Sequence, residues 1–257
     1  MRVKMSSDVG ESICPAASGR WRHCKYPRIP GWRADKSRHM NSSKQPEALL
    51  LVSPGCQYCR GMHKVLDELA ASGEISKLTV VDIAEQPHVA EQLGVRSVPW
   101  LRINDFVLQG AHTPGELNKW IEASKQENGW SQYLDHLLGT GGLALAENLI
   151  KEKPERLSAL IPLASDPETS MHVRVGIAAI LEEFHDEAEK RKLVPALAEI
   201  AKSEDVKVRA DACHYLALTG SEDAIQALQK YRGDKNEMVR EIVNEGILEL
   251  QNTGKAS

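Results

Sequence analysis

Two cysteines separated by two residues, Cys56 and Cys59, lie where an apolar run gives way to a helix-like pattern, in the stretch LLLVSPGCQYCRGMHKVLDELA. Such a pair can be half of a zinc site, a structural disulfide or a redox dithiol. A redox dithiol needs an accessible first thiol that ionises near neutral pH, and a second thiol close enough to break the mixed disulfide. These cysteines are therefore the first candidates for chemistry in the chain.

The start of a helix supplies what a redox dithiol needs. Unpaired N–H groups and the helix dipole stabilise a thiolate there, and one helical turn brings the second cysteine beneath the first. Pro54 and Gly55 break the preceding strand directly ahead of the pair. We therefore predict that Cys56 is the exposed nucleophile and that Cys59 is the partly buried second thiol.

The two other uses of the pair have less support from the sequence. A tetrahedral zinc site needs four ligands. Cys213 lies in ADACHYLAL, where it is typical of a buried small apolar residue, and His63 supplies only one ligand. A structural disulfide is unusual in a reducing compartment. The sequence predicts no metal site and no cofactor, while zinc binding and a static disulfide stay open as alternatives.

Length and charge restrict the function classes. With 257 residues, 42% of them hydrophobic, the chain can form two modest domains. Residues 1–39 carry a surplus of six positive charges, and because the whole chain carries −4, the rest carries −10. This acidic body argues against a nucleic-acid partner.

The sequence also predicts no membrane span. No apolar run reaches about 18 residues, and the N-terminus lacks the apolar core of a secretory signal. We therefore expect no membrane association and a cytoplasmic location.

The first segment, residues 1–45, is rich in Gly, Pro, Ser and Arg and shows no periodicity, which predicts a disordered basic tail. Met40 stands directly before a strand-like run, as an ordinary N-terminus does. We expect residues 1–39 to be either a tail or an over-extended gene start, with the true start near residue 40.

Residues 46–124 alternate strand-like and helix-like segments. EALLLVS and KLTVVDI are short apolar runs typical of buried strands, and a helix-like stretch follows each, the second ending at Gly94. VPWLRI and FVLQG form two further strands around a turn at Asn104 and Asp105. A last helix begins after Thr113, a suitable N-cap. The order β-α-β-α-β-β-α predicts an α/β domain with a small mixed sheet covered by helices.

The strand signals stop near residue 130, and the remaining chain has helical patterns. We predict a helical connector over residues 125–154 and an all-α repeat domain over residues 155–251. Val-Arg pairs recur 35 and 31 residues apart at Arg174, Arg209 and Arg240, with a second helix between successive pairs. We predict that these arginines pair with acidic groups of adjacent repeats; an arginine-lined binding surface is the alternative.

Residues 46–124 resemble the thioredoxin fold. The resemblance is carried by Cys-x-x-Cys after a strand, by GVRSVPW downstream, and by a closing helix that contains Glu-Leu. It implies that Pro99 follows a cis peptide bond beside the dithiol and that the backbone at Val98 pairs with an extended substrate. Gln57 and Tyr58, between the two cysteines, are expected to contact the substrate as well.

The sequence of the dithiol, Cys-Gln-Tyr-Cys, differs from the Trp-Cys-Gly-Pro-Cys of thioredoxins, and its tyrosine resembles the Cys-Pro-Tyr-Cys of glutaredoxins. GAHTPGEL replaces the Gly-Gly-x-Asp stretch of glutaredoxins, and the buried Asp/Lys pair of thioredoxins has no counterpart. His63 and Asp82 are then the candidates for proton transfer, although a surface or structural role suits each of them better.

The C-terminal part, over roughly residues 155–250, resembles HEAT-like repeats, in which Asp/Glu-x-x-Val-Arg opens one helix and Ala-Ile or Pro-Ala-Leu marks its partner. Such repeats bury a face only against their neighbours and form a stack with a long exposed surface. Together the resemblances imply a thiol–disulfide oxidoreductase that acts on disulfide-bearing protein substrates and docks a protein partner on its repeats. The alternatives are a non-catalytic protein-binding scaffold and a redox sensor.

Overall fold

The computed structural model describes residues 45–253, so the predicted tail and gene start lie outside the described residues. Its first part has the predicted order β-α-β-α-β-β-α, which confirms the α/β fold class. The elements are β1 (Glu47–Val52), α1 (Gln57–Ala71), β2 (Lys77–Asp82), α2 (Pro87–Leu93), β3 (Trp100–Ile103), β4 (Phe106–Gln109) and α3 (Pro114–Ala123).

The four strands form one mixed sheet in the order β2-β1-β3-β4. Strand β1 runs parallel to β2 and antiparallel to β3, and β3 and β4 form an antiparallel hairpin. Leu49, Leu50 and Leu51 of β1 have no exposed surface, because neighbouring strands flank β1 and side chains cover both faces of the sheet. The continuous apolar run of β1 is thus explained by its central position.

The turns of this domain follow the local sequence signals. Asn104 adopts a left-handed φ of 50°, as the two-residue hairpin turn requires. Thr113 and Glu116 form a reciprocal capping box at the start of α3, in which the Thr113 hydroxyl accepts the Glu116 N–H and the Glu116 carboxylate accepts the Thr113 N–H. Gly94 ends α2 in the left-handed conformation.

The second part of the described chain is helical throughout, as predicted. A 3₁₀ helix (Pro154–Leu160) separates its first two α-helices from the others. The α-helices are α4 (Gly129–Gly139), α5 (Leu143–Glu152), α6 (Ile161–Ser165), α7 (Met171–Glu183), α8 (Glu187–Arg191), α9 (Val194–Ile200), α10 (Val206–Leu218), α11 (Glu222–Gln229) and α12 (Glu237–Thr253).

Two of the three repeated arginines, Arg174 and Arg209, pair with acidic residues of the next Val-Arg unit, which confirms the predicted structural role for these two. The side chain of Arg174 on α7 is buried and forms an ion pair with Asp211 on α10. The side chain of Arg209 on α10 is also buried and pairs with Asp234, in the loop before α12, at 2.9 Å from Nε to Oδ2. Arg240 instead donates to the backbone carbonyl of Asp234 at 2.7 Å, and within residues 45–253 it forms no ion pair, so the predicted acidic partner is not found for this arginine. The alternative of an exposed arginine surface is wrong for Arg174 and Arg209.

The repeat helices also approach one another closely. A Cβ atom on Gly246 of α12 would lie 2.6 Å from the Cβ of Ala217 on α10, so this crossing requires glycine.

A buried lysine also connects the repeat helices. Lys190 of α8 is buried, and its ammonium donates to the carbonyls of Leu181 at 3.3 Å and Leu218 at 3.0 Å. The lysine therefore joins the C-terminal ends of α7 and α10, where a positive charge is favourable.

One continuous apolar core extends from the sheet to the last helix. At the junction, Tyr133 of α4 stacks on Phe106 of β4 with ring centroids 4.4 Å apart. The Tyr133 hydroxyl accepts the Val107 N–H at 2.7 Å and donates to the Val107 carbonyl at 2.8 Å. It thereby satisfies backbone groups that the edge strand β4 would otherwise leave unpaired. The predicted connector helix α4 is thus packed directly against the sheet.

Replacing Tyr133 by phenylalanine should lower the free energy of unfolding by about 1–3 kcal/mol, because the donor and acceptor of Val107 lose their partner in a buried place. Denaturant unfolding measures this change. Tyr231→Phe is the matched control, since within residues 45–253 the Tyr231 hydroxyl makes no hydrogen bond. Equal stabilities of the two variants would contradict the role of Tyr133.

A histidine at the same junction predicts a pH dependence. His136 of α4 packs on Trp120 of α3 with ring centroids 4.9 Å apart. Burial, together with the charges of Lys119 and His112, holds the pKa of His136 below its ordinary value of 6.5, against the opposing charges of Asp135 and Glu116. On acidification, the unfolded chain therefore takes up a proton at His136 before the folded chain does. The stability of the fold is then greatest above pH 6.5 and is lost as the pH falls through the folded-state pKa.

Denaturant unfolding of the wild type and His136→Gln from neutral pH to about pH 5 tests this dependence. The wild type should lose stability on acidification, and the variant should show a flatter profile. Parallel profiles would show that another group causes the loss.

Among residues 45–253, no helix has both the length and the apolar character needed to cross a bilayer.

Candidate active site

The dithiol lies between the C-terminal end of β1 and the first turn of α1. The chain turns there, with the Cys56 N–H donating to the Ser53 carbonyl at 3.1 Å. Cys56 is the N-cap residue of α1, and its Sγ accepts the Cys59 N–H at 3.1 Å. The sulfur atom thus occupies the position where a helix offers a free N–H donor and the positive end of its dipole.

The two cysteines differ in exposure. They form a disulfide with an S–S distance of 2.04 Å, so the site is in its oxidised state. Cys56 is half-buried, whereas Cys59 retains only 2% of its surface. This order agrees with the expectation that an incoming molecule reaches Cys56 first. The roles of nucleophile and second thiol stay predictions.

The Val98–Pro99 segment lies at the same edge of the sheet as the dithiol. Leu51 of β1 pairs with Trp100 of β3, so that one step further along the antiparallel register Pro99 comes opposite the last residue of β1. The Val98–Pro99 peptide bond is cis, as the resemblance implies. The Pro99 carbonyl accepts the Gly110 N–H at 2.9 Å. By contrast, the backbone N–H and C=O of Val98 bind no group within the described part of the chain.

The residues between the two cysteines face solvent. Gln57 is exposed, and Tyr58 exposes 60% of its surface although it is a large aromatic residue.

The predicted proton-transfer candidates, His63 and Asp82, have local partners. His63 lies 3.3 Å from Asp67 on the same helix, and the Asp82 carboxylate accepts the Ala84 N–H at 2.8 Å. Both arrangements agree with the surface and structural roles that suit these residues better.

Within residues 45–253, the one remaining cysteine and the potential metal ligands do not compete for this site. Cys213 is completely buried, and burial raises the pKa of its thiol to about 12, so it stays protonated and unreactive. Within residues 45–253, no group of three or more His, Cys, Asp or Glu side chains is arranged to hold a metal ion. The zinc alternative therefore lacks a set of ligands in this part of the chain.

Comparison with known families agrees with this geometry. Residues 48–122 match the family model of a thioredoxin domain, and residues 157–247 match that of HEAT repeats. The chain joins a thioredoxin-like domain to HEAT repeats. No curated protein matches the chain.

The contacts that join the thioredoxin-like domain to the helices were missed by sequence reasoning. Arg156 lies 3.8 Å above the Trp130 ring, and its guanidinium forms an ion pair with Asp105 in the β3–β4 turn, 2.5 Å away. Lys153 binds the same carboxylate at 2.8 Å. The aromatic residues of the stretch ENGWSQYLDH were the only sequence signal, and they do not identify a partner.

Proposed function

We propose that the protein is a thiol–disulfide oxidoreductase. The thiolate of Cys56 attacks one sulfur of a substrate disulfide, the substrate S–S bond breaks, and the released thiolate takes up a proton. The Cys59 thiolate then attacks the Cys56 sulfur, which releases the second substrate thiol and forms the Cys56–Cys59 disulfide. Two electrons pass from the dithiol to the substrate, and an external dithiol must reduce the site again.

The position of the Cys56 sulfur carries this proposal. It caps a helix of 15 residues and accepts a backbone N–H, so a negative charge on it is stabilised where a solvent-borne disulfide can reach it. Cys59 lies one turn further along the same helix and is already bonded to it. The pair thus offers an accessible sulfur that can attack a substrate disulfide and a second thiol that can release the bound substrate.

The substrate-binding part of the proposal involves Val98, Pro99, Gln57 and Tyr58. The unbonded N–H and C=O of Val98 offer two hydrogen bonds to an extended substrate segment at the edge that carries the dithiol. The exposed Tyr58 ring offers an apolar surface beside Cys56. Together these groups hold a substrate disulfide by its backbone rather than by one particular side chain.

The HEAT repeats are proposed to dock a protein partner. Their helix α7 exposes two apolar residues one turn apart, Met171 by 72% and Val175 by 59%, and such patches favour protein contacts. A docked partner raises the effective concentration of its own disulfide at the dithiol.

The proposal also includes the domain bounds and the location. The domains are residues 46–124, 125–154 and 155–251. The proposed location is the cytoplasm, where a reducing environment returns the site to its dithiol state.

Reduction of insulin disulfides, with dithiothreitol as the electron source, tests the proposal. The protein should accelerate insulin precipitation beyond the rate of dithiothreitol alone. An unchanged rate would end the enzyme proposal and favour a scaffold.

The continuous core favours a redox sensor as a second candidate. Met62 and Leu66 of α1, which begins at the dithiol, lie in the same core as the repeat helices. A sensor predicts different partner binding by the oxidised and reduced protein, which pull-downs under both conditions compare directly. Equal binding in both states would exclude this candidate.

A further inference from the structure

A groove of about 420 Å³ lies between α4 and the segment that joins α6 to α7. It therefore lies where the helix next to the thioredoxin-like domain meets the first Val-Arg helix. Its apolar side chains are Pro162, Leu163 and Val173, and apart from Gly139 the other lining residues are polar or acidic. Neither the dithiol nor the paired arginines contribute to it.

One hydroxyl that lines this groove makes no hydrogen bond within the described residues. Ser131 of α4 lines the groove and retains 7% of its surface. Within the described residues its Oγ makes no hydrogen bond, whereas the hydroxyls of Ser124 and Thr140, the C-cap residues of α3 and α4, donate to backbone carbonyls at 2.7 Å. Although the residue is largely buried, its Oγ atom is not fully enclosed and faces the open groove. The Ser131 hydroxyl is therefore open to a ligand.

Three carboxylates line the same groove. Asp135 comes from α4, and Asp166 and Glu168 come from the segment before α7. All three are exposed, and within residues 45–253 none of them forms an ion pair. Asp166 accepts the Glu168 N–H at 2.9 Å, which fixes the segment locally. Carboxylates beside an apolar lining suit an organic cation that has an aliphatic stem.

We infer that this groove binds an arginine- or lysine-bearing segment of a protein partner. The inference rests on the proposed function in one respect, since it names the chemistry of the partner that docks on the helices. The aliphatic stem of such a side chain packs on Leu163 and Val173, while its charged end meets the carboxylates. Its N–H groups donate to the Ser131 hydroxyl. The excess of negative charge outside residues 1–39 attracts a basic segment over longer distances.

The test uses the full chain and a fluorescein-labelled peptide of alternating arginine and leucine, with fluorescence anisotropy at low salt as the measurement. Wild-type protein should bind this peptide, and a peptide with glutamate in place of arginine should not bind. In the variant Asp135→Asn/Asp166→Asn/Glu168→Gln the affinity should fall by about tenfold. The variant keeps the backbone contact of Asp166, because asparagine accepts the same N–H.

The matched control is Glu182→Gln/Glu241→Gln/Glu245→Gln, which removes the same charge from exposed positions outside the groove. It should bind as the wild type does. Equal weakening in both triple variants would show attraction by net charge alone and would overturn the inference. Binding that appears only after the basic residues of segment 1–39 are replaced by glutamine would assign the groove to the chain's own segment, and would also overturn it. No thiol takes part in this assay, so its result is independent of the insulin assay.

Discussion

Replacing Cys56 by serine should reduce insulin reduction to the rate seen with dithiothreitol alone. The serine hydroxyl does not ionise near neutral pH and does not attack a disulfide, because the thiolate is the nucleophile in this exchange. The helix is expected to survive the change, since serine is a favourable N-cap residue that can accept the Cys59 N–H in place of the sulfur. Loss of activity in a folded variant would therefore report the chemistry and not the fold.

The control for this variant is Cys213→Ala. Cys213 is completely buried in α10 and its thiol stays protonated, so its removal should leave insulin reduction unchanged. Wild-type activity of Cys56→Ser, or loss of activity in Cys213→Ala, would contradict the assignment of the nucleophile.

Replacing Arg209 by alanine should destabilise the repeats by about 3–5 kcal/mol, because it leaves a carboxylate without its partner in a place with little access to water. The side chains of Arg209 and Asp234 retain 5% and 9% of their exposure. The guanidinium also donates to the Ser203 carbonyl at 2.7 Å, so the variant loses a contact with the loop between α9 and α10 as well.

The electrostatics of Asp234 agree with this expectation. Burial opposes ionisation of its carboxyl, but hydrogen bonds from the Asn236 N–H and the Arg209 guanidinium outweigh burial and keep the pKa below its ordinary value. The matched control is Arg191→Ala, because Arg191 pairs with Asp223 while its side chain is 64% exposed. That variant should change stability by less than about 1 kcal/mol. Similar denaturant midpoints for both variants would refute the structural role of Arg209.

Much of the fold could be predicted because its signals are local. The apolar run of β1, the turn at Asn104 and the capping box at Thr113 each depend on neighbours within a few residues, and the structure confirms them. The dithiol has the same property, since Cys56 and Cys59 belong to one helical turn. The sequence therefore predicted where the candidate chemistry lies.

The junction between the two parts could not be predicted, because its contacts join distant residues. Tyr133 binds the backbone of Val107, and backbone groups carry no side-chain signal in the sequence. Arg156 reaches Asp105 across 51 residues. The partners of the repeated arginines were equally hidden, since Arg174 pairs with a helix residue whereas Arg209 pairs with a loop residue.

The central claim is that Cys56 attacks and Cys59 releases, and a trapping experiment with Cys59→Ser tests it most directly. Without the Cys59 thiol, the mixed disulfide between Cys56 and insulin has no internal route to release, so it should accumulate. Non-reducing gel electrophoresis followed by mass spectrometry should find insulin bonded to Cys56, and the Cys56→Ser protein should give no such adduct. An adduct on another cysteine, or equal adducts in both variants, would contradict the account.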